Sequence, residues 1–357
     1  MIPFSFCLIT LVFVVATATQ ARNHHNHPLP RTTPAAAKDT SHVSHVYSRN
    51  LTLSTYEDFL DFFIFNNIKD PSGGIVTYVD QKEAERLDLV GPGKAGGIRI
   101  AADLSEKNVT AGRKSVRLRG KEAFGEGLFV FEIAHAPVGC GLWPAAWMTV
   151  DESVWPVGGE MDIFEYGNGL RYAPEQTLHL NGTCVMPPHR LQTGNNTAWQ
   201  DCDSFEGWKT GNHGCGVELL NDQFAVPALL NRNGGAVFVM ERNADHIQGW
   251  AFPSCSPHAR ALKHRRKIDT TKFGTPSSFF PSTDTCALKE KFGKLHPIIN
   301  ISFGGHAEAS WVRDGCLALA PSFYTGWGVS ENSTEYLKQP ENSVEFHVSS
   351  YTYFAPT

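Results

Sequence analysis

The sequence predicts an all-β protein folded as one β-sandwich of two antiparallel sheets. Three observations carry this. Apolar residues recur in short runs, alternating or continuous, with turn residues between them. Long stretches of helical periodicity are absent. The 32 glycines and the 11% aromatic content suit a turn-rich chain with broad, half-buried surfaces. Neither an internal repeat nor a shift of composition follows residue 50, so residues 50–357 are read as one domain.

Two segments of other kinds precede it. Phe4–Thr17 is an apolar run too short to span a bilayer, and Ala16-Thr17-Ala18 fits a small-x-small cleavage site. Residues 1–18 therefore read as a secretory signal, cleaved after Ala18 or after Ala21, although no Lys or Arg precedes the apolar run. Residues 22–46 carry His24-His25-Asn26-His27-Pro28 and then Thr, Pro and Ala. This composition buries too little apolar surface to offset ordering, so the segment reads as a disordered leader. Its histidines are better taken as a solvated tail than as metal ligands. No later segment is apolar for long enough to span a membrane. The expectation is a secreted, extracellular monomer without a membrane anchor, free or against a cell wall.

Six Asn-x-Ser/Thr sequons, at Asn50, Asn108, Asn181, Asn195, Asn300 and Asn332, agree with secretion. Past Cys7 the cysteines are Cys140, Cys184, Cys202, Cys215, Cys255, Cys286 and Cys316. An oxidising compartment should pair most of them, and an odd count leaves one free or intermolecular. No Cys-x-x-Cys occurs, which argues against a zinc site. The net charge of -5 excludes an obvious polyanion-binding role. The longest basic run, Lys263-His264-Arg265-Arg266-Lys267, reads as a solvated loop. No cofactor, metal or nucleic-acid partner is expected.

Ordered structure is expected from near Leu51. Phe59, Phe62 and Phe63 have the spacing of a short helical turn, and Pro71–Gly74 reads as a loop. Gly74–Val79 follows as a strand. In Ser115–Arg119 the apolar residues alternate with arginines, which predicts a half-buried strand. Leu128–Ile133 is continuously apolar, as a strand covered on both faces would be. Ala236–Met240 and Ile247–Phe252 flank Asn243-Ala244-Asp245, a hairpin. Ile298–Phe303 and Val344–Tyr353 add later strands.

One strand-like run holds three acids: Gly159-Glu160-Met161-Asp162-Ile163-Phe164-Glu165-Tyr166. Carboxylates in apolar surroundings need partners or a task. Alternation puts Glu160 and Asp162 on one face and Glu165 on the other. A β-bulge between Asp162 and Glu165 would bring all three to one face. The Cα atoms of the two glutamates would then lie about 13 Å apart. Inward-leaning side chains could bring the carboxyls to about 5 Å, the separation of a retaining glycosidase. In that chemistry Glu160 attacks the anomeric carbon, and Glu165 protonates the leaving oxygen and later deprotonates water. Asp162 shares a proton with Glu160. Trp155, Trp143 and Trp147 lie close in sequence, and indoles stack on sugar rings.

These residues resemble glycoside hydrolase family 16, in its secreted fungal endo-1,3(4)-β-glucanase branch. Trp155-Pro156-x-Gly158-Gly159-Glu160-Met161-Asp162-Ile163-Phe164-Glu165 is similar to the bulged form of the family motif. Asp70–Asp80, Gly112–Arg117, Gly127–Phe129, His135–Trp147, Leu178–Cys184 and Gly214–Val217 extend the resemblance over roughly residues 55–315. It implies a jelly-roll sandwich with a concave substrate cleft, and retaining endo-hydrolysis of 1,3- or mixed 1,3-1,4-β-glucans. It implies Glu160 as nucleophile, Asp162 as assisting acid and Glu165 as acid/base, with Trp143, Trp147 and His179 binding substrate. A cell-wall glucan transglycosylase would share the triad, and a non-catalytic glucan-binding protein would share the fold. Against the family pattern, Ala146 replaces a bulky aromatic, which would open the adjoining subsite. Gly304–Ala309 lacks a cysteine that relatives carry, and Trp250–Cys255 lacks an arginine that would contact substrate.

Overall fold

The computed structural model describes residues 45–107, 109, 111–205, 212–220, 222–319 and 331–357. Ser44–Thr357 form one unit. The signal and the leader up to residue 44 lie outside the described residues, as do Asn108 and the side chain of Asn332. The strands, in chain order, are β1 (Val46–Leu53), β2 (Phe63–Phe65), β3 (Val76–Tyr78), β4 (Val90–Pro92), β5 (Ile98–Ala101), β6 (Arg113–Ser115), β7 (Arg117–Gly120), β8 (Gly127–His135), β9 (Leu142–Thr149), β10 (Glu160–Glu165), β11 (Glu175–His179), β12 (Asn195–Asn196), β13 (Cys215–Glu218), β14 (Ala236–Arg242), β15 (His246–Pro253), β16 (Lys267–Asp269), β17 (Ser278–Pro281), β18 (His296–Phe303) and β19 (Glu345–Pro356).

Two antiparallel sheets dominate. One runs β16-β1-β19-β8-β14-β15-β17, with β5 and then β4 added beside β19; the other runs β12-β13-β11-β10-β9-β18-β7-β2. The main core lies between them. Phe164 of β10 packs on Phe238 of β14 and Phe346 of β19, with ring centroids 4.4 and 5.8 Å apart. The continuous apolar run in β8 is explained by its two covered faces. Phe129, Phe131 and Ile133 enter the main core. Leu128 and Val130 enter a second cluster, roofed by Ala259 and Leu262 of the helix Pro257–His264. The short helix Tyr56–Phe62 begins in a capping box between Thr55 and Asp58 and buries Phe59 and Phe62. The hairpin β14–β15 turns at Asn243–Asp245, and β18 and β19 cover the two later segments read as strands.

Several expectations are corrected. The sheet starts at Val46, within the segment read as leader and ahead of Leu51, because Tyr47 is fully buried and pairs with Pro356. Ser115–Arg119 is not one strand with a solvated arginine face. It breaks at Val116 into β6, parallel to β3, and β7. Arg113 and Arg117 are buried, the first donating to Asp103 O, Ser333 and Thr334, the second to Glu152 at 2.9 Å. A guanidinium can be buried when its fork of donors is occupied. The basic run 263–267 is exposed, but it closes a helix and opens β16 and is not a loop. Disulfides join Cys140–Cys316, Cys184–Cys286 and Cys202–Cys215, and no described cysteine, Cys255 included, is free.

Candidate active site

The bulge is present. Asp162 faces Thr177 of β11, but the next pair is Glu165 with Glu175, three residues against two. On the other side Asp162 faces Trp147 of β9 and Phe164 faces Ala146. Ile163 and Phe164 are both fully buried in the core, with Met161. Two consecutive inward residues turn Glu165 back to the face that carries Glu160 and Asp162.

Cross-strand neighbours then hold each acid. Glu160 faces His179 of β11. Trp155 donates its indole N–H to Glu160 Oε2 at 2.9 Å. His179 Nε2 lies 3.2 Å from Asp162 Oδ2 and 3.9 Å from Glu160 Oε1. Its Nδ1 is 2.9 Å from the Ser204 hydroxyl, which donates to it when Nε2–H faces the two acids. Trp143 donates to Glu165 Oε1 at 2.7 Å. Trp147 points its N–H away from the acids, to Asn300 Oδ1 at 2.7 Å, and Arg117 lies 4.9 Å over its ring.

Burial dominates the electrostatics. It pushes Glu160 up to about 8, with the Asp162 charge adding to the rise and His179 opposing it. Burial also raises Asp162 well above the usual carboxylate range, reinforced by Glu165 and Glu175. Glu175 is raised too, mainly by burial, with His306 at 3.9 Å opposing. Like charges this close do not ionise independently, so Glu160 and Asp162 titrate as a pair. Among the described residues two groups bring three donor atoms within 4.8 Å: Glu160–Asp162–His179, and His45–Glu241–His246 on the other sheet. In the second, Glu241 already accepts from Tyr47, Thr270 and Gln248, so its lone pairs are largely taken.

The structure brings together all six residues singled out from sequence: Glu160, Asp162, Glu165, Trp143, Trp147 and His179. It also adds residues the sequence reading missed. Trp155 stood in the motif, but its bond to Glu160 was not foreseen. Glu175 and Ser204 gave no linear signal. Asn300 was read as a sequon, yet it is buried, accepts from Trp147 and donates to Tyr78 at 3.1 Å, so no glycan fits there. Ala146 opens no subsite: it faces the core between Phe164 and Ile299. Trp250 and Phe252 belong to the second cluster, on the sheet without the acids, so the segment lacking the arginine lies away from them. Cys140 has Cys316 as partner, so the cysteine missing near Gly304 orphans nothing.

Residues 63–339 match the family model described as "XgeA-like, catalytic GH16 domain". A probable glycosidase of Schizosaccharomyces pombe is 35% identical over 261 residues, 72% of this chain and 60% of that protein. The endo-1,3(4)-beta-glucanase xgeA of Emericella nidulans is 33% identical over 272 residues, 74% of this chain and 41% of that protein. The chain thus spans from about a third to three-fifths of the length of the curated relatives it matches. Among solved structures, Laminarinase 16A from Phanerochaete chrysosporium, with 6-O-glucosyl-laminaritriose in donor and acceptor sites, aligns at TM-score 0.72 and 30% identity, over 87% of this chain and 99% of that one. An elongating family 16 beta-1,3-glucosyltransferase aligns at 0.71 and 28%, over 87% and 100%. The sandwich is therefore the jelly roll of those laminarinases, and the chain belongs to glycoside hydrolase family 16.

Proposed function

We propose that the protein is a secreted, retaining endo-β-glucanase acting on 1,3- or mixed 1,3-1,4-β-glucans. The observation that carries this is the bulge after Asp162, which gathers Glu160, Asp162 and Glu165 on one face of β10. The proton shared by Glu160 and Asp162 decides when Glu160 can attack. With the proton on Asp162, Glu160 is a carboxylate aimed by the Trp155 N–H. It attacks the anomeric carbon while Glu165, oriented by Trp143, protonates the departing oxygen. The covalent glycosyl-enzyme is released by water, which Glu165 deprotonates. His179 braces Asp162, and Trp143 and Trp147 offer ring surface to the sugar chain.

A monomer without a membrane anchor suits the same reading. Among the described residues no helix is long and apolar enough to cross a membrane. Asn50 and Asn195 are exposed sequons open to glycosylation. A second reading, transfer of the glycosyl unit to a sugar hydroxyl in place of water, is favoured by the likeness to the elongating glucosyltransferase. A product profile on laminarin, lichenan and barley glucan separates the two. Hydrolysis yields only shorter oligosaccharides; products longer than a short donor support transfer. Glu160→Gln is expected to lower kcat at least about 10³-fold on each substrate it cleaves. A variant with the wild-type rate would remove Glu160 from the mechanism.

A further inference from the structure

The cross-strand row through Asp162 continues beyond the acids. Asp162 faces Thr177, and Thr177 faces Gly216 of β13. Directly opposed residues of antiparallel strands share a face. A Cβ on Gly216 would lie 3.1 Å from Thr177 Oγ1 and 2.8 Å from the Thr197 methyl. Thr197 therefore takes the place a side chain at residue 216 would hold on the acid-bearing face. It is pinned there by hydrogen bonds in both directions, Thr197 N to Gly216 O at 3.0 Å and Gly216 N to Thr197 Oγ1 at 3.3 Å.

Two residues further on, Trp199 is 47% exposed. A tryptophan serving only the core would resemble Trp250 or Trp311, which are 2% and 0% exposed. Trp199 instead stacks flat on His213, with centroids 4.6 Å apart and an interplanar angle of 7°. His213 precedes Gly214, where a Cβ would stand 2.9 Å from the His179 ring that faces Glu160 and Asp162. Burial lowers the His213 imidazole, and the charges of His306 and His179 act in the same direction. One face of the indole is thus backed by an imidazole, and about half of the side chain stays open to solvent. An open, rigid aromatic face suits the C–H face of a pyranose ring, because dispersion and apolar contact are gained with little loss of rotamer freedom.

We propose that Trp199, backed by His213, is a glucosyl-binding platform at the β13 end of the acid-bearing face. The assignment rests on the glucanase reading, and it extends the site by at least one sugar past His179. The test compares kcat/KM on laminari-oligosaccharides from the triose to the heptaose for wild type, Trp199→Ala and Trp199→Phe. In wild type the long substrates are favoured. In Trp199→Ala that advantage is expected to shrink about tenfold, mainly through KM, and Trp199→Phe should recover most of it. Calorimetry in a Glu160→Gln background supplies a readout without turnover: Trp199→Ala should weaken laminariheptaose binding about tenfold. Unchanged length dependence and unchanged heptaose affinity in Trp199→Ala overturn the platform alone. A wild-type protein that cleaves none of these oligosaccharides overturns the glucanase reading and the platform with it.

Discussion

At the residue scale, the acids owe their properties to burial more than to one another. Desolvation raises both Glu160 and Asp162, and each then senses neighbouring negative charge. This has a consequence for stability. Below the ordinary carboxyl value of 4.5, Glu160 is protonated whether the chain is folded or unfolded. As the pH rises toward about 8, the unfolded carboxyl ionises and the folded one does not, so stability falls across that window. Glu160→Gln should flatten this fall and melt about 2–4 °C higher than wild type at pH 8, the shift expected for about 1 kcal/mol in a domain of this size. Thermal melts over that range check it; a variant less stable at high pH would contradict it. The kinetic counterpart concerns Asp162, whose charge holds Glu160 up. Asp162→Asn should move the acidic limb of kcat/KM to lower pH while lowering kcat about tenfold or more. A limb that moves upward would mean the two acids do not share a proton. The acids themselves were legible because all three lie on one strand. The bonds that hold them were not: Trp143, Trp155 and His179 were singled out without their links to the acids, and Ser204 gave no signal, because these contacts cross turns and strands. Asn300 shows the same limit, since Asn-x-Ser occurs by chance and only the register of β18 reveals a buried amide holding Trp147.

At the element scale, β10 works because it is irregular. The five-residue interval between Glu160 and Glu165 demanded a bulge, and the register shift lies between Asp162 and Glu165 as the spacing required. Deleting Ile163 would shorten the interval to four residues, which regular alternation satisfies, with Phe164 still in the core and Glu165 still on the acid-bearing face. The expected result is a lower Tm from the lost burial of Ile163, with measurable activity retained. Activity and melting measurements on the deletion variant check both, and a folded variant without activity would mean that the bulge does more than turn Glu165 to the right face. The failures at this scale share one cause. The continuous apolar run of β8 and the hairpin of β14 and β15 were read correctly, because apolar content on both faces marks a covered strand. Alternation misled at Arg117, where a buried guanidinium group mimics a solvated face. It was set aside at Ala146, whose neighbour Trp147 on the acid-bearing face already implied that Ala146 points inward.

At the scale of the whole molecule, one sheet carries the three acids and the other closes the core behind it. The eight-stranded sheet presents Trp147, the three acids, His179 and Glu175 on neighbouring strands from β9 to β11, and Thr197 and Trp199 beyond β13. A polysaccharide lying across these strands would meet all of them. Sheet number and sandwich architecture followed from short strands, frequent turns and missing helical periodicity, because those features leave few other ways to cover both faces. The order of strands did not follow, because pairing of segments such as β1 with β19 is a long-range outcome that local pattern does not encode. The central claim is double displacement through Glu160 with Glu165 as acid/base. The most direct test is proton NMR of the first products released from laminarin, recorded before mutarotation. The account predicts that the new reducing ends appear first as the β-anomer; α-anomer appearing first would contradict it.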